Sequence, residues 1–564
     1  MVSFLNRDAT TNSGYRLIFG YLMLFVAFIG VITLLPLGMM AFYRDEWMCW
    51  PVFVIPGASA VFLGSFIGGV LMRGSTTGRL GKHQDSVLLV AIWLTAVTIG
   101  ALPFFLADKL DFYSANNGAV SMSFSESFFE SMSGYSACGF TVMSGISHGS
   151  PVLSNFLDAG VPQYCPHIFL FYRAITQFFG GVGLVLVVSS AVSDRFGMQL
   201  FYTEGHNDRL LPNLAKTAKA TFGMYALIIL LGTLSMWFFG MDLFEALCHS
   251  IAGMATGGFS TRVNGFYGYT NANPVFGKVL PIGIEISCSV IMLLGATSFL
   301  LIYNALTMKW KNFFRDLEIR FSIIFITVMT ILCTICVLYQ YNNGDGGIDF
   351  GASLRYSAFQ IISCITTTGF GNAPSIVILG HGAILLSIMV MLVGGGMGST
   401  AGAIKQYRVV IQLKSLWWSI KYKLSPSRLH HPHNYLRAGK NNELTEETYR
   451  EASLYTILYL IVVLVMSLLL IFFPNWNDGK GAYFTVEQAF YLVTSALSGT
   501  GNTIVDFLGL KQTLLANGGE SLIWTYNLIL WIMSLCMIMG RLEIMPLYYG
   551  AMRLTRDLLH KETV

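Results

Sequence analysis

The sequence predicts an all-α polytopic membrane protein with ten membrane spans, and three observations lead to this fold class. Only 11% of the 564 residues are charged and 54% are hydrophobic, whereas a soluble domain carries about 25% charged residues. Ten apolar stretches are each about as long as a membrane-spanning helix. Between these stretches, a short glycine-containing pattern occurs four times. The composition argues against disorder and against a soluble enzyme, and the net charge of +4 is too small to indicate a nucleic-acid partner.

The apolar stretches follow one another along the whole chain. They cover residues 16–42, 51–72, 86–107, 168–192, 219–240, 279–305, 321–341, 380–404, 452–473 and 521–550. Most of the 34 Lys and Arg residues fall in alternate loops when the N-terminus is placed inside, as the positive-inside rule requires. Both termini are therefore expected in the cytoplasm. The largest inside loop carries the cluster His430-His431-Pro432-His433, which lacks a neighbouring Cys or carboxylate pair and favours a solvated or partner-contacting loop over a metal site.

Four of the outside segments share a pattern. Each is a short apolar stretch that ends in a run of small residues, and the last glycines recur about every 110 to 130 residues. The four runs are Ser136-Ala137-Cys138-Gly139, Ala255-Thr256-Gly257-Gly258, Thr366-Thr367-Thr368-Gly369 and Ser498-Gly499-Thr500-Gly501. Small residues also precede each last glycine by five positions, namely Gly134, Gly253, Cys364 and Ala496. Similarity at fixed offsets and a long period predicts a four-fold internal repeat.

Each repeat is expected to contain a span, a short helix, a run and a second span. A helix of about 11 residues is about 16 Å long and cannot cross a hydrocarbon core of about 30 Å, so it must enter the membrane and return. Four runs around one axis would offer backbone carbonyls and hydroxyls to a dehydrated monovalent cation. The alternative is that each run is only a turn or a packing motif, which is less plausible for four matched runs than for one.

Two further features lie within predicted spans. The segment 394–403 has five glycines in nine residues, which should interrupt a helix and form a loop beneath the runs; tight helix packing is the alternative. Its candidate gating residues are Gly394, Gly395, Gly396, Gly398, Ser399 and Thr400. Arg541 lies in the last span, where a charge is costly. It is expected to form a barrier to cations or, alternatively, to pair with an acid such as Glu543.

The residues resemble the Trk/Ktr/HKT superfamily of potassium transporters, and within it the TrkH-like bacterial pore subunits. The resemblance covers nearly the whole chain. It rests on Phe42-Tyr43-Arg44-Asp45, Ala101-Leu102-Pro103-Phe104, Phe128-Phe129-Glu130-Ser131, Phe171-Tyr172-Arg173, Gly180-Gly181-Val182-Gly183, Gly257-Gly258-Phe259-Ser260-Thr261, Gly398-Ser399-Thr400, Lys405 and Gly540-Arg541-Leu542-Glu543.

The resemblance implies four membrane–pore-loop–membrane repeats around one K⁺ pathway, with the four runs as selectivity filter and with residues 394–403 and Arg541 as gate. The implied division is 1–80 for two N-terminal helices, 81–205 for repeat 1, 206–316 for repeat 2, 317–450 for repeat 3 with the intramembrane loop and a cytosolic linker, and 451–564 for repeat 4. The resemblance also implies a homodimer surrounded by lipid in the bacterial inner membrane. A cytosolic TrkA-like nucleotide-binding ring would regulate it.

Potassium uptake, with K⁺ as the transported ion, is the function these features predict. An enzyme is not expected, since the sequence has no nucleophile–base or metal-ligand spacing and no P-loop. The first run reads Ser-Ala-Cys-Gly, not the Thr-rich run typical of TrkH-like subunits, which leaves the strictness of K⁺ over Na⁺ selection open. The alternatives are a sodium-permeable protein and a cation-coupled secondary transporter of the same architecture.

Overall fold

The protein is helical apart from one short antiparallel hairpin in the part of the chain that the structure describes. The computed structural model describes residues 14–72, 84–109, 122–143, 165–182, 214–262, 265–269, 280–342, 349–373, 376–424, 434–437, 439–472, 484–507, 510–511, 513–514 and 522–559. The all-α fold predicted from the sequence is confirmed. The His430–His433 cluster lies outside these residues.

Two long helices, α1 (Gly14–Leu34) and α2 (Trp50–Met72), precede the rest of the fold. Two 3₁₀ segments join them, Leu35–Ala41 and Arg44–Cys49. The two helices lie close together because glycine lets their backbones approach. A Cβ on Gly30 would lie only 2.6 Å from the carbonyl oxygen of α2 residue 57.

The other helices form four units, each with a long helix, a short helix and a second helix or broken helix. Unit 1 has α3 (Gln84–Lys109), α4 (Phe124–Tyr135) and α5 (His167–Val182), and unit 2 has α6 (Leu214–Phe238), α7 (Leu243–Met254), α8 (Pro281–Gly295) and α9 (Phe299–Leu306). After the linking helix α10 (Trp310–Arg315), unit 3 has α11 (Leu317–Asn342), α12 (Phe350–Ile365), α13 (His381–Val393) and α14 (Gln406–Leu424). After the hairpin β1 (Asn434–Arg437) and β2 (Lys440–Glu443), unit 4 has α15 (Glu446–Phe472), α16 (Val486–Ser498), α17 (Ile523–Arg541) and α18 (Ile544–Leu559).

The short helices α4, α7, α12 and α16 contain 12 to 16 residues and are too short to cross a membrane. Three of them begin at a capping side chain that the sequence supplies. Ser123 and Thr485 form capping boxes with Glu126 and Gln488. The Asp242 carboxylate accepts a hydrogen bond from the second N–H of α7. Local sequence therefore fixes where these helices start.

Seven described helices are long and apolar enough to cross a membrane, and the bent pair α8–α9 would make an eighth. The predicted span 168–192 corresponds to α5, which is described only to Val182. The predicted span 380–404 corresponds to α13, a helix of 13 residues. The chain is therefore a multi-pass membrane protein, and the count of ten spans stays a prediction.

Two of the predicted spans are wrong as continuous helices. The span 279–305 is broken after Gly295, where α8 and α9 meet at 113°. The span 521–550 is broken after Arg541, and Glu543 at the break has a φ of +54°. The break after Gly295 contains no proline, whereas Pro546 lies four residues after Leu542 of the second break and cannot donate a helical hydrogen bond to it. Contacts with other parts of the fold hold both breaks, as described below.

Candidate functional site

All four short helices end in the same turn, immediately before or within the four runs. In each turn, the N–H of the residue before the last glycine donates to the carbonyl five residues earlier, at 2.8 to 3.0 Å. The donor and acceptor pairs are Cys138 and Ser133, Gly257 and Ala252, Thr368 and Ser363, and Thr500 and Ser495. A second bond joins the preceding N–H to the carbonyl three residues earlier, at 3.0 to 3.2 Å. This is the Schellman pattern of helix termination.

The same position of every turn adopts a left-handed backbone conformation. The residues are Ala137 with φ +52°, Thr256 with φ +51°, Thr367 with φ +53° and Gly499 with φ +77°. The first three have side chains, so each of these three turns stores about 1 to 2 kcal/mol of strain. Strain held at the same place in three units is typical of functional backbone. Residue type gave no signal for it, since only the fourth is a glycine.

The last glycines pack the four runs into a closed ring in chain order. A Cβ on Gly258 would overlap the carbonyl oxygen of Thr368, and a Cβ on Gly369 would overlap that of Thr500. A Cβ on Gly501 would overlap the backbone nitrogen of Gly139, which brings the fourth run back to the first. The first run also contacts the second, because a Cβ on Gly139 would lie 3.2 Å from the carbonyl oxygen of Gly257. This contact completes the ring.

Hydroxyl groups line only half of this ring as bonded pairs. The Thr366 and Thr368 hydroxyls are 2.9 Å apart, and the Ser498 and Thr500 hydroxyls are 2.7 Å apart. The corresponding positions of the second run are alanine and glycine, and the first run has cysteine in place of the second hydroxyl. The second run, like the first, therefore lacks the pair of hydroxyls that the third and fourth runs have.

A buried ion pair fixes the segment that follows the first run. Arg173 Nε lies 2.8 Å from Glu130 Oε1, and the side chains are 2% and 0% exposed. Glu130 also accepts from the backbone N–H of Val142 at 3.0 Å. Arg173 reaches the second run's exit by donating to the Ser260 carbonyl at 3.2 Å and by stacking 3.9 Å over the Phe259 ring. Sequence reasoning placed Arg173 within a span but did not find its partner.

The glycine-rich segment interrupts a helix, as predicted from the sequence. Helix α13 ends at Val393, and Gly394 and Gly398 take φ values of +69° and +74°. The segment 394–405, called the glycine loop below, then continues without helix to the start of α14. It is buried for most of its length, which agrees with the rule that irregular backbone at membrane depth is enclosed by protein or lines a cavity.

The glycine loop contacts three of the four runs. Thr256 donates its hydroxyl hydrogen to the Thr400 hydroxyl at 3.0 Å. The N–H of Gly402 donates to the Thr367 hydroxyl at 2.9 Å, and a Cβ on Gly402 would overlap the Ser498 carbonyl oxygen. The loop therefore lies directly against the ring.

On its other side the loop fills the bend between α8 and α9. The N–H of Gly396 donates to the Ala296 carbonyl at 2.9 Å, and the N–H of Phe299 donates to the Gly398 carbonyl at 3.1 Å. Thr400 donates its hydroxyl hydrogen to the Gly295 carbonyl at 2.9 Å. These bonds satisfy backbone groups that the break in the helix leaves without helical partners.

Arg541 joins the glycine loop to unit 1. Its guanidinium donates to the Thr400 carbonyl at 3.1 Å, to the Gly181 carbonyl at 3.2 Å and to the Gly180 carbonyl. Glu543, the acid that the sequence offered as an alternative partner, lies 2.8 Å from Arg408. The glycine loop contacts the second, third and fourth runs but has no contact described above with the first. Arg541 lies on the side of this first run, where it bonds to unit 1.

A cavity lies beside these contacts, between the glycine loop and the first and fourth runs. The cavity carries two positive side chains, since Lys405 is also buried there and donates to the Ala401 carbonyl. Its lining consists of Ser136, Ala137, Gly398, Ser399, Thr400, Ala401, Gly402, Ala403, Lys405, Ser498, Gly499, Gly540, Arg541 and Glu543. Nearly all of the residues singled out from the sequence thus meet at the ring, the loop or the cavity between them. Among the described residues, no group of three His, Cys, Asp or Glu side chains could hold a metal ion.

Comparison with known proteins agrees with this arrangement. The family model "TrkH: Cation transport protein" matches residues 120–556. An uncharacterized cation transporter of Methanocaldococcus jannaschii is 29% identical over 79% of this chain and 81% of its own length. The Trk system potassium uptake protein TrkH of Salmonella typhimurium is 27% identical over 73% of this chain and 79% of its own. The crystal structure of the potassium transporter TrkH from Vibrio parahaemolyticus has the same fold, with a TM-score of 0.71, 23% identity, and coverage of 95% of this chain and 98% of that chain.

Proposed function

The chain belongs to the TrkH family of cation transport proteins, and from that premise we propose that it mediates potassium uptake across the cell membrane. The closed ring of four runs is the observation that carries this proposal. Relatives named as Trk system potassium uptake proteins support K⁺ as the transported ion.

The sixteen residues of the four runs form the selectivity filter in this proposal. Their Schellman turns leave later carbonyls of each run outside the helix hydrogen-bonding pattern, so these oxygens can replace the hydration shell of a cation. The C-terminal ends of four short helices, which carry partial negative charge, meet at the ring. The runs contain no carboxylate, which favours a monovalent ion over a divalent one.

The glycine loop and Arg541 form the gate in this proposal, with Gly394, Gly395, Gly396, Gly398, Ser399 and Thr400 as its loop residues. The loop lies against the ring, and its glycines allow rearrangement at low steric cost. A cation passing about 6 Å from Arg541 meets a repulsion of about 3 kcal/mol at an effective dielectric constant near 20.

A cytosolic partner regulates the gate in this proposal, and a TrkA-like nucleotide-binding ring is the partner we infer. The hairpin β1–β2 lies in the basic inside segment 405–450, and the Tyr435 hydroxyl in β1 is 2.7 Å from the Tyr407 hydroxyl in α14. Tyr407, Tyr435 and the loop residue Met397 share one small hydrophobic cluster. A displacement of the hairpin can therefore be transmitted to the glycine loop through these packed side chains.

The assembly and placement that we propose are those of a homodimer, surrounded by lipid in the bacterial inner membrane, with both termini in the cytoplasm. The units divide the chain at 1–80, 81–205, 206–316, 317–450 and 451–564. The basic inside loops support the orientation.

A second candidate function is transport that is permeable to sodium or coupled to another cation. The observation that favours it is the lack of hydroxyl pairs in the first and second runs, because fewer oxygen ligands weaken discrimination between K⁺ and Na⁺.

Reconstitution of the purified protein into liposomes separates these possibilities. We expect K⁺ uptake down its own gradient to exceed Na⁺ uptake under the same conditions. Equal uptake of the two ions would support the sodium-permeable alternative. Uptake that requires an imposed H⁺ or Na⁺ gradient would support coupled transport, and uptake of neither ion would contradict the proposal.

A further inference from the structure

Gln177 lies behind the first two runs, although it belongs to neither. It is in α5 and has no exposed surface. Its amide Nε2 donates to the Gly257 carbonyl at 2.6 Å and is 3.4 Å from the Cys138 carbonyl. Its Oε1 accepts from the backbone N–H of Phe259 at 3.3 Å. One side chain thus bonds to the backbone of two neighbouring runs, and both amide hydrogens and the amide oxygen are used.

The equivalent helices carry no amide at this position. Gly180 of α5, Gly295 of α8 and Gly540 of α17 each lie so close to a short helix that a Cβ would meet the carbonyl four residues before the last glycine of the run. These three contacts align the helices. The residues three positions before these glycines are Gln177, Met292 and Met537, and all three side chains are fully buried.

The amide lies where the ring has no hydroxyl pairs. The third and fourth runs each contain an internal pair of bonded hydroxyls, Thr366 with Thr368 and Ser498 with Thr500. In the first and second runs, the residues before the last glycine are Cys138 and Gly257. A side chain at Gly257 would overlap the Gln177 amide, so the amide can lie here only because residue 257 is a glycine.

The Cys138 carbonyl has a second donor on the same side. The Ser133 hydroxyl also donates to it, so two donors from behind the ring bond this oxygen. In contrast, the equivalent Thr368 and Thr500 carbonyl oxygens lie against the last glycine of the preceding run. The contacts of the first carbonyl therefore differ from those of the third and fourth.

We propose that Gln177 is a positioning residue for ion selection, which sets the directions of the Cys138 and Gly257 carbonyls. This inference rests on the proposed function of the ring. Selection between K⁺ and Na⁺ depends on the number, distance and field strength of the oxygens around the ion. A buried carbonyl that loses its donor turns toward another partner, and the ion is the partner at hand.

The variant Gln177→Met tests the proposal, because it places at this position the residue that α8 and α17 carry. In liposomes we expect the ratio of K⁺ to Na⁺ uptake to fall by about tenfold, the effect of about 1.4 kcal/mol lost for one ion only. Gln177→Leu also removes the amide donors and adds no charge, so the ratio should fall here too. Thr176→Val is the matched control, since the Thr176 hydroxyl bonds only within α5, to the Arg173 carbonyl; its uptake ratio should stay at the wild-type value.

Thermal unfolding of the same proteins separates positioning from general stability. A lower uptake ratio in the two Gln177 variants, with Thr176→Val unchanged and equally or less stable, supports the inference. A wild-type uptake ratio in the folded Gln177 variants overturns it, even if their unfolding temperature is lower. Wild-type protein that does not discriminate between the ions contradicts the proposed function instead.

Discussion

The four last glycines of the runs differ in what a side chain would cost. At Gly369 a side chain meets both a φ of +87° and the carbonyl oxygen of the next run, whereas Gly139 has neither a left-handed φ nor a contact closer than 3.2 Å. The glycine of the first run is therefore the one that the backbone requires least.

We predict that Gly369→Ser lowers the ratio of K⁺ to Na⁺ uptake more than Gly139→Ser does. The side chain at Gly369 must displace the Thr500 carbonyl, which is a proposed ion ligand, while insertion into the membrane depends on the helices and should continue. Uptake assays in liposomes, with the amount of inserted protein measured in parallel, provide the comparison. Equal ratios for the two variants would contradict the geometry of the ring.

The Glu130–Arg173 pair predicts a large loss of stability when only one partner is removed. Glu130→Gln or Arg173→Met leaves the remaining charge buried and should cost about 3 to 5 kcal/mol in the free energy of unfolding. The double variant should cost less than the sum of the two single variants. His381→Ala is the control, because His381 is 84% exposed beside Glu487 and its loss should cost about 1 kcal/mol or less. Additive losses in denaturant unfolding would show that the pair is not coupled.

Sequence reasoning located the helices, the runs and the glycine loop, but not the breaks after Gly295 and Arg541. The runs could be predicted because glycine and small residues recur at fixed offsets, and the loop at 394–403 could be predicted because glycine is costly inside a helix. The break after Gly295 depends instead on bonds from the loop residues Gly396 and Gly398, about a hundred residues away in the chain. Such a break is imposed by packing, and no local pattern encodes it.

The same reason explains what was missed near the ring. The left-handed conformation of Ala137, Thr256 and Thr367 follows from the termination of four packed helices, whereas these residue types on their own avoid it. Gln177 gave no signal, because one glutamine in an apolar stretch shows its role only when the two neighbouring runs are in place.

The glycine loop and Arg541 at the end of α17 lead to a prediction for the proposed gate. We expect Arg541→Ala to raise basal K⁺ uptake by up to roughly a hundredfold, because about 3 kcal/mol of repulsion is removed and the loop loses its bond to unit 1. Shortening the loop across Gly395–Gly398 should also raise uptake. If both changes act on one constriction, the combined effect should be smaller than the product of the two.

Arg553→Ala provides the control for this experiment, since Arg553 pairs with Asp557 in α18 and does not line the cavity. Its K⁺ uptake should match that of the wild type. Unchanged or lower uptake in a normally inserted Arg541→Ala protein would support a purely structural role for the arginine.

Charged side chains form contacts between the units that surround the ring. Arg355 of unit 3 binds Glu285 of unit 2 through two hydrogen bonds of 2.6 and 2.7 Å. Lys511 of unit 4 lies 2.6 Å from Glu126 of unit 1, and Arg173 links unit 1 to unit 2. Polar contacts therefore join unit 1 to units 2 and 4 and unit 2 to unit 3, and composition and repeats could not predict these pairs.

The proposed regulation by a separate chain leads to a prediction for the purified protein. We expect no measurable heat when ATP or NADH is titrated into the protein alone, because the nucleotide would bind to the cytosolic partner. Isothermal titration calorimetry checks this directly, with a nucleotide-binding protein of known affinity as the positive control. Tight binding of either nucleotide by the isolated chain would contradict the idea that the regulator is a separate protein.

The contact between Gly501 and Gly139 has a consequence for biosynthesis. The first run is translated long before the fourth, and the roughly 360 residues between them take about 20 to 70 seconds to make at 5 to 20 residues per second. Throughout that interval the nascent chain contains at most three of the four runs that form the ring. A ribosome that stalls before the last unit therefore leaves an open ring in the bilayer, and the proposed ion site is finished only after the fourth run has been made.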